Sequence, residues 1–220
     1  MTPRDVVILQ WIGEQYAVSL DQVQRLMGRM PGKETKQTGQ VTLATAERRV
    51  KRWMELDLVE REKKFLNEPA WVWLTKTGLS LLAHKYRYLS PSLNIRNHFY
   101  WVNRTRLFAE GYYAEKSIPI QWRSERTLRN EMGKDEATKN IHVPDAEIVT
   151  SEEVVAIEIE LTQKSTNRLK GILRELARRY TRVLYFAEGN LENFVKRQLE
   201  TLADSEQQKF EVYRLEETVR

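Results

Sequence analysis

Two short segments of this 220-residue chain gather most of the residues able to do chemistry. The first runs His142-Val143-Pro144-Asp145-Ala146-Glu147-Ile148-Val149. The second runs Val154-Val155-Ala156-Ile157-Glu158-Ile159-Glu160-Leu161-Thr162-Gln163-Lys164. Side chains alternate along a strand, so Glu158 and Glu160 share one face, while Val155, Ile157, Ile159 and Leu161 share the other. A short hairpin through Thr150-Ser151-Glu152 brings Asp145 beside the Glu158 strand. Asp145, Glu158 and Glu160 on adjacent strands are a candidate metal set, since Mg²⁺ and Mn²⁺ prefer oxygen ligands. Ions held there can activate water against a phosphodiester. His142, next to the acids, is a candidate general base. The alternative use of an acid–X–acid strand is a half-buried strand whose acids face water.

A second chemistry sits near the other end of the chain. Arg48, Arg49, Lys51 and Arg52 fall within five residues, and Val50, Trp53 and Met54 mark the buried side of their helix. Arg48, Lys51 and Arg52 are then outer neighbours, three and four apart. Arginine can donate two bonds to guanine and lysine can neutralise phosphate, so double-stranded DNA is the expected partner. Arg61, Lys63 and Lys64 in the following hairpin are placed to track the flanking backbone. A third basic row, Lys170, Arg174 and Arg178, has a spacing of four and lies away from Leu169, Ile172, Leu173 and Leu176. It too could follow a phosphate backbone; solvated surface decoration is the alternative for each of these faces.

The run Glu47-Arg48-Arg49-Val50-Lys51-Arg52-Trp53-Met54-Glu55-Leu56-Asp57-Leu58-Val59-Glu60-Arg61 and the junction Ala70-Trp71-Val72-Trp73-Leu74-Thr75-Lys76-Thr77-Gly78 resemble the winged helix-turn-helix family over about residues 3–87. That resemblance implies a recognition helix in the major groove. The Pro144-Asp145 strand followed by the Glu158 strand and an amphipathic helix resembles the PD-(D/E)XK nucleases. By this resemblance Asp145, Glu158, Glu160 and Lys164 are the catalytic candidates, and Glu125 is a candidate upstream acid. One position departs: Glu160 stands where the motif has lysine, and Lys164, four residues on, is the residue available to replace it. Weak or absent cleavage is therefore expected. A winged helix followed by Val143-Pro144-Asp145-Ala146, then Ala156-Ile157-Glu158-Ile159-Glu160-Leu161-Thr162-Gln163-Lys164-Ser165 and a later tyrosine, resembles the replication-relaxation proteins of plasmids, phages and integrative elements over almost the whole chain. This implies action on the DNA of a mobile genetic element, in replication, mobilisation or their control. A Mg- or Mn-dependent endonuclease or nickase, and a non-enzymatic adaptor for replication or conjugation proteins, are the competing readings. A homodimer is a further expected assembly.

These groups need elements to carry them. Apolar spacings of three and four predict helices from Pro3 through Tyr16, from Ser19 through Met27, and from Thr42 or Thr45 through Met54. Strands are expected at 58–65 and 70–74, with Asn67-Glu68-Pro69 as the turn, then a helix through Tyr86. Residues 31–40 are expected to be a loop. Trp71 and Trp73 share a strand face and are expected to form a small core on the first helix. A long helix is expected over 94–113, with Gly111 as its end. A strand at 118–122 and a polar loop with helical fragments over 124–140 follow. Strands at 143–149, 154–161, 183–187 and 210–215, with helices after Ser165 and at 191–199, complete the pattern. The fold class is α+β: an N-terminal winged helix over 1–88, then an α/β nuclease-like domain with a mixed sheet over 89–220.

Composition sets the outer bounds. Hydrophobic residues are 41% and charged residues 30%, enough apolar content for a packed core. No apolar run approaches the roughly 18 residues of a membrane span. Cysteine is absent, which excludes disulfides, thiolate metal sites and thiol nucleophiles; a cytoplasmic location is the expectation. The net charge of +5 is uneven. The first 88 residues carry five more basic than acidic side chains, and residues 141–220 carry three fewer.

Overall fold

The computed structural model describes residues 1–29, 39–82, 86–132 and 141–219. The expected loop at 31–40, apart from its last two residues, His84 and the 133–140 part of the expected polar loop lie outside the described residues. The chain is mixed α+β and divides into two compact units, 1–103 and 104–220. The division falls inside one long helix rather than at residue 88. Among the described residues no helix is long and apolar enough to cross a membrane.

In the first unit, α1 (Pro3–Glu14) begins with a capping box. Thr2 accepts from the Asp5 amide and the Asp5 carboxylate accepts from the Thr2 amide. A two-residue strand, β1 (Val18–Ser19), leads directly into α2 (Leu20–Arg29), so Ser19 belongs to a sheet rather than capping a helix. Thr42 caps α3 (Leu43–Glu55), whose buried side is Ala46, Val50 and Trp53. The hairpin strands β2 (Val59–Glu62) and β3 (Trp71–Leu74) follow, then the short α4 (Lys76–Leu81), capped by Thr75. The sheet order is β1-β3-β2, antiparallel throughout. At α4 a side chain on Gly78 would strike the Leu58 carbonyl at 2.1 Å, so glycine there lets α4 close on the start of the hairpin.

The helix α5 (Leu93–Glu115) runs straight through Gly111, the residue expected to end it. Its first half completes the core of the first unit. Trp71 and Trp73 are buried with Ala17 and Phe99, and Phe99 stacks on Tyr16 at 5.2 Å. Asn103 donates to the Ala17 carbonyl at 2.8 Å and to Gln22 Oε1 at 3.0 Å. The tryptophan face is thus covered by α5, not by α1 alone.

The second unit holds a five-stranded mixed sheet: β4 (Gln121–Ser124), β5 (Ala146–Val149), β6 (Val154–Glu160), β7 (Arg182–Ala187) and β8 (Phe210–Arg214), in that order. β4, β5 and β6 are antiparallel neighbours, and β6, β7 and β8 are parallel. Parallel strands need crossovers, and α7 (Thr166–Arg179) and α8 (Leu191–Leu199) supply them. Both lie on one face, through Leu169, Leu173, Tyr185, Ala187, Val195 and Leu199. Ala156, Ile172, Leu176, Tyr180 and Val183 extend that core. The opposite face presents Ile148, Ile157, Leu184 and Phe186 to the second half of α5. The segment after β4, expected to be a loop with helical fragments, carries the helix α6 (Glu125–Met132). Two further short helices, α9 (Asp204–Gln207) and α10 (Leu215–Thr218), were not expected.

Candidate functional site

The acids come together as the alternation requires, but under a helix rather than in water. Ala146 pairs with Ile157 and Glu147 with Ala156, so the next step of that ladder sets Asp145 opposite Glu158. Ala156, Glu158 and Glu160 share the face covered by α7. Glu158 and Glu160 are each only 3% exposed. Burying a carboxylate is costly unless it is partnered, and each of these acids has its own partner.

Both Glu158 oxygens lie 3.1 Å from His142 Nε2. Burial and the Asp145 charge push the Glu158 pKa up to about 7, and the His142 hydrogen bond only partly offsets them. Burial disfavours the imidazolium, but the bond to Glu158 and the charges of Glu158, Asp145 and Glu175 outweigh it, so the His142 pKa is raised. The backbone of His142 is strapped to α7: its amide donates to Glu175 at 2.8 Å, and its carbonyl accepts from Arg179 at 2.6 Å. Asp145 Oδ2 accepts from the Ile159 amide at 2.7 Å. Glu160 accepts from the Tyr185 hydroxyl at 3.0 Å and is paired with Lys164. The strand ends at Glu160 and the chain folds Lys164 back, as replacement of the motif lysine requires, but the ammonium is bound by Glu160.

Two neighbours were not singled out from sequence as partners. Buried Glu147 accepts from the Tyr180 hydroxyl at 2.6 Å and pairs with Arg123, which also holds Glu131. Burial and the bond to Glu147 raise the Tyr180 pKa well above the usual phenol value. The apolar helix pattern of α7 hides Tyr180 as one more core aromatic; only the β5 register reveals its polar role. Glu125 opens α6, where its carboxylate accepts from Arg129 at 2.7 Å and its amide donates to the Asp145 carbonyl. It stands beside Asp145 through the backbone, with its side chain turned to Arg129. Among the described residues, no group of three His, Asp or Glu side chains is arranged to hold a metal ion.

The basic candidates divide differently. Arg48, Lys51 and Arg52 are exposed on α3 and line a shallow concavity with Thr45 and Glu55. Arg52 is 3.2 Å from Glu55, an exposed pair one turn along. Arg48 and Lys51 make no ion pair among the described residues. Arg49 lies 3.4 Å from buried Asp5, which also accepts from Trp53 Nε1 at 3.1 Å. Burial works to raise the Asp5 pKa, but hydrogen bonds from Thr2 and Trp53 and the Arg49 charge outweigh it and hold it below the usual value. Arg49 therefore ties α3 to α1. In the hairpin Arg61 is bound to Glu47 at 3.1 Å and Lys64 lies 3.8 Å from Glu62. Lys63 is exposed and makes no ion pair among the described residues. On α7, Arg174 and Arg178 are exposed and Lys170 is half-buried.

Compared with known proteins, the chain matches no family model, no curated protein and no solved structure.

Proposed function

We propose that this protein binds double-stranded DNA through α3 and the β2–β3 hairpin, and that its second unit is a nuclease-like scaffold without a working cleavage site. The observation that carries the reading is the pair Arg48 and Lys51, exposed on a well-capped helix and making no ion pair among the described residues. Such a face presents cations that a phosphate or a guanine edge can take at once. The order α1, α2, α3, β2, β3 and the antiparallel β1-β3-β2 sheet support a winged helix with α3 as recognition helix.

For the second unit, strand order, the Asp145–Glu158 pairing and the α7 crossover support a PD-(D/E)XK-like frame. Its donor set argues against a working metal centre. Mg²⁺ and Mn²⁺ need several oxygen ligands free to coordinate. Here Glu160 is ion-paired with Lys164 and accepts from the Tyr185 hydroxyl, and both Glu158 oxygens lie 3.1 Å from His142 Nε2. The biological setting that fits is a mobile genetic element, with the protein acting in its replication, mobilisation or regulation, in keeping with the sequence resemblance.

The test is fluorescence anisotropy on duplex DNA beside nicking of supercoiled plasmid in Mg²⁺ and Mn²⁺. Binding that weakens in R48Q/K51Q, with no nicking, is expected. Nicking that is lost in D145A and K164A replaces the scaffold reading with the endonuclease reading. Wild-type protein that fails to bind DNA at low salt leaves the adaptor reading.

A further inference from the structure

The exposed side of α7 carries a glycine that its own protein does not need. At 100° per residue, Lys170, Arg174, Arg178 and Gly171 fall in one outward sector. Arg168 and Arg174 are the i−3 and i+3 neighbours of Gly171. A side chain built on Gly171 would meet nothing within 4 Å, so no packing demands glycine. Its φ is not in the left-handed region either, since the glycines with positive φ are Gly39 and Gly189. Glycine inside a helix costs about 0.5–1 kcal/mol relative to alanine. The surrounding cations are equally unexplained by the fold: Arg168, Lys170, Arg174 and Arg178 make no ion pair among the described residues. Glu175 on the flank is taken up by the His142 amide and Arg179.

We infer that the Arg168–Gly171–Arg174–Arg178 face of α7, with Lys170, is a docking surface for the phosphodiester backbone of duplex DNA, in which bare Gly171 lets the backbone approach the helix closely. This inference rests on the DNA-binding reading but places a second surface on the other unit. Lys170, Arg174 and Arg178 rise along the helix in steps of about 6 Å, spanning about 12 Å, enough to meet successive phosphates. The face has no aromatic residue on which single-stranded bases could stack. The apolar residues Leu169, Ile172, Leu173 and Leu176 are buried in the core, so none is free to enter a lipid surface as interfacial helices require. A phosphate backbone needs only the cations and the space.

The experiment uses the full chain and a duplex of arbitrary sequence, with affinity measured over a range of salt. Each phosphate contact contributes about 0.9 to the slope of log K against log salt, so K170Q/R174Q/R178Q should flatten the slope by about 2 to 3 and weaken binding at least about tenfold at low salt. G171A should melt as high as wild type or higher, yet bind more weakly, and G171Q more weakly still. If the α7 triple variant binds as wild type while R48Q/K51Q is weakened, this inference falls and the α3 reading stands. If only the α7 variant is weakened, the α3 reading falls and this one stands. If neither is weakened, both fall. G171A with raised melting and unchanged affinity overturns the close approach and with it the proposal. Binding to vesicles of phosphatidylcholine and phosphatidylserine that the triple variant loses, with DNA affinity intact, overturns it in favour of an anionic lipid surface.

Discussion

The outer face of α3 and the covered face of β6 treat their charged side chains in opposite ways. On α3, Arg48 and Lys51 stand exposed and unpaired among the described residues, on a helix anchored by Val50 and Trp53. On β6, Glu158 and Glu160 are buried, and each is met by its own base or donor from the same unit. Leaving a surface cation unpaired costs a protein almost nothing, because exposed pairs are worth so little. A buried carboxylate without a partner is expensive, so a carboxylate held inside the fold needs an internal partner. The contrast separates charges held ready for something outside from charges consumed inside. It also ranks the two candidate sites: the first has unmet demand, the second has almost none.

The comparison assumes that each region has its own core, and that can be broken most severely by truncation. A fragment of residues 1–88 lacks Phe99, Tyr100 and Asn103, leaving Trp71, Trp73 and the Gln22 side chain uncovered. It should show no cooperative melting, whereas a fragment of 1–115, which includes all of α5, should melt as a single transition. Circular dichroism with temperature decides it. A cooperative 1–88 fragment would mean that α5 is not part of the first unit's core.

The second break is aimed at Glu160. Removing one member of a buried pair typically costs about 3–5 kcal/mol because a charge is left stranded. Lys164 keeps 19% of its side chain exposed, so K164A should cost about 3 kcal/mol in chemical denaturation, the low end of that range. Adding E160Q should recover much of the loss, since the stranded charge is gone. If K164A leaves stability unchanged, the ammonium is not consumed by Glu160, and the contrast between the two faces fails.

How much of this was legible beforehand follows from length and reach. α1, α3, α7, β6 and β7 were readable because each is long enough to show its period in apolar residues. β1, with two residues, and α9 and α10, with four each, are too short to show any period. Gly111 misled because glycine inside a long helix is merely costly, not forbidden. The shared face of Glu158 and Glu160 was readable from alternation, and so was the return of Lys164. That α7 would bury that face was not, since a strand pattern does not say which side its crossover helix covers. The fate of Arg49 was equally hidden: its partner Asp5 lies 44 residues away in sequence.

The third prediction sharpens the acid side through pH. Glu158 has its folded pKa raised from 4.5 to about 7 and His142 is raised above 6.5, so the folded state holds protons that the unfolded state releases. Stability from both groups is therefore present at low pH and lost as pH rises through these values. A shift of that size at Glu158 corresponds to a loss on the order of 3 kcal/mol between pH 4.5 and 7, with His142 extending the decline above 6.5. Denaturation at pH 5, 6, 7 and 8 should show stability falling throughout, and E158Q should flatten the lower part of the curve. A flat wild-type profile would place Glu158 outside the buried pairing.

The smallest effect tests the comparison within a single helix, at two adjacent arginines. Arg48 is exposed and makes no ion pair among the described residues; Arg49 leans back to buried Asp5. If readiness for an outside partner follows from the absence of an inside one, the two should part cleanly. R48Q should change stability by less than about 0.5 kcal/mol, as ordinary surface substitutions do, and should weaken DNA binding by about 1–3 kcal/mol. R49Q should do the reverse. Its side chain is 37% exposed, and Asp5 keeps its bonds from Thr2 and Trp53, so the loss of stability should stay within the roughly 0.2–1 kcal/mol of a partly exposed pair. The salt dependence of DNA affinity should be unchanged in R49Q and reduced by about 0.9 in R48Q if Arg48 meets a phosphate. Equal losses of affinity in both variants would mean that the Asp5 pair gives way when DNA arrives, and that a partner inside the fold does not withdraw a cation from the surface.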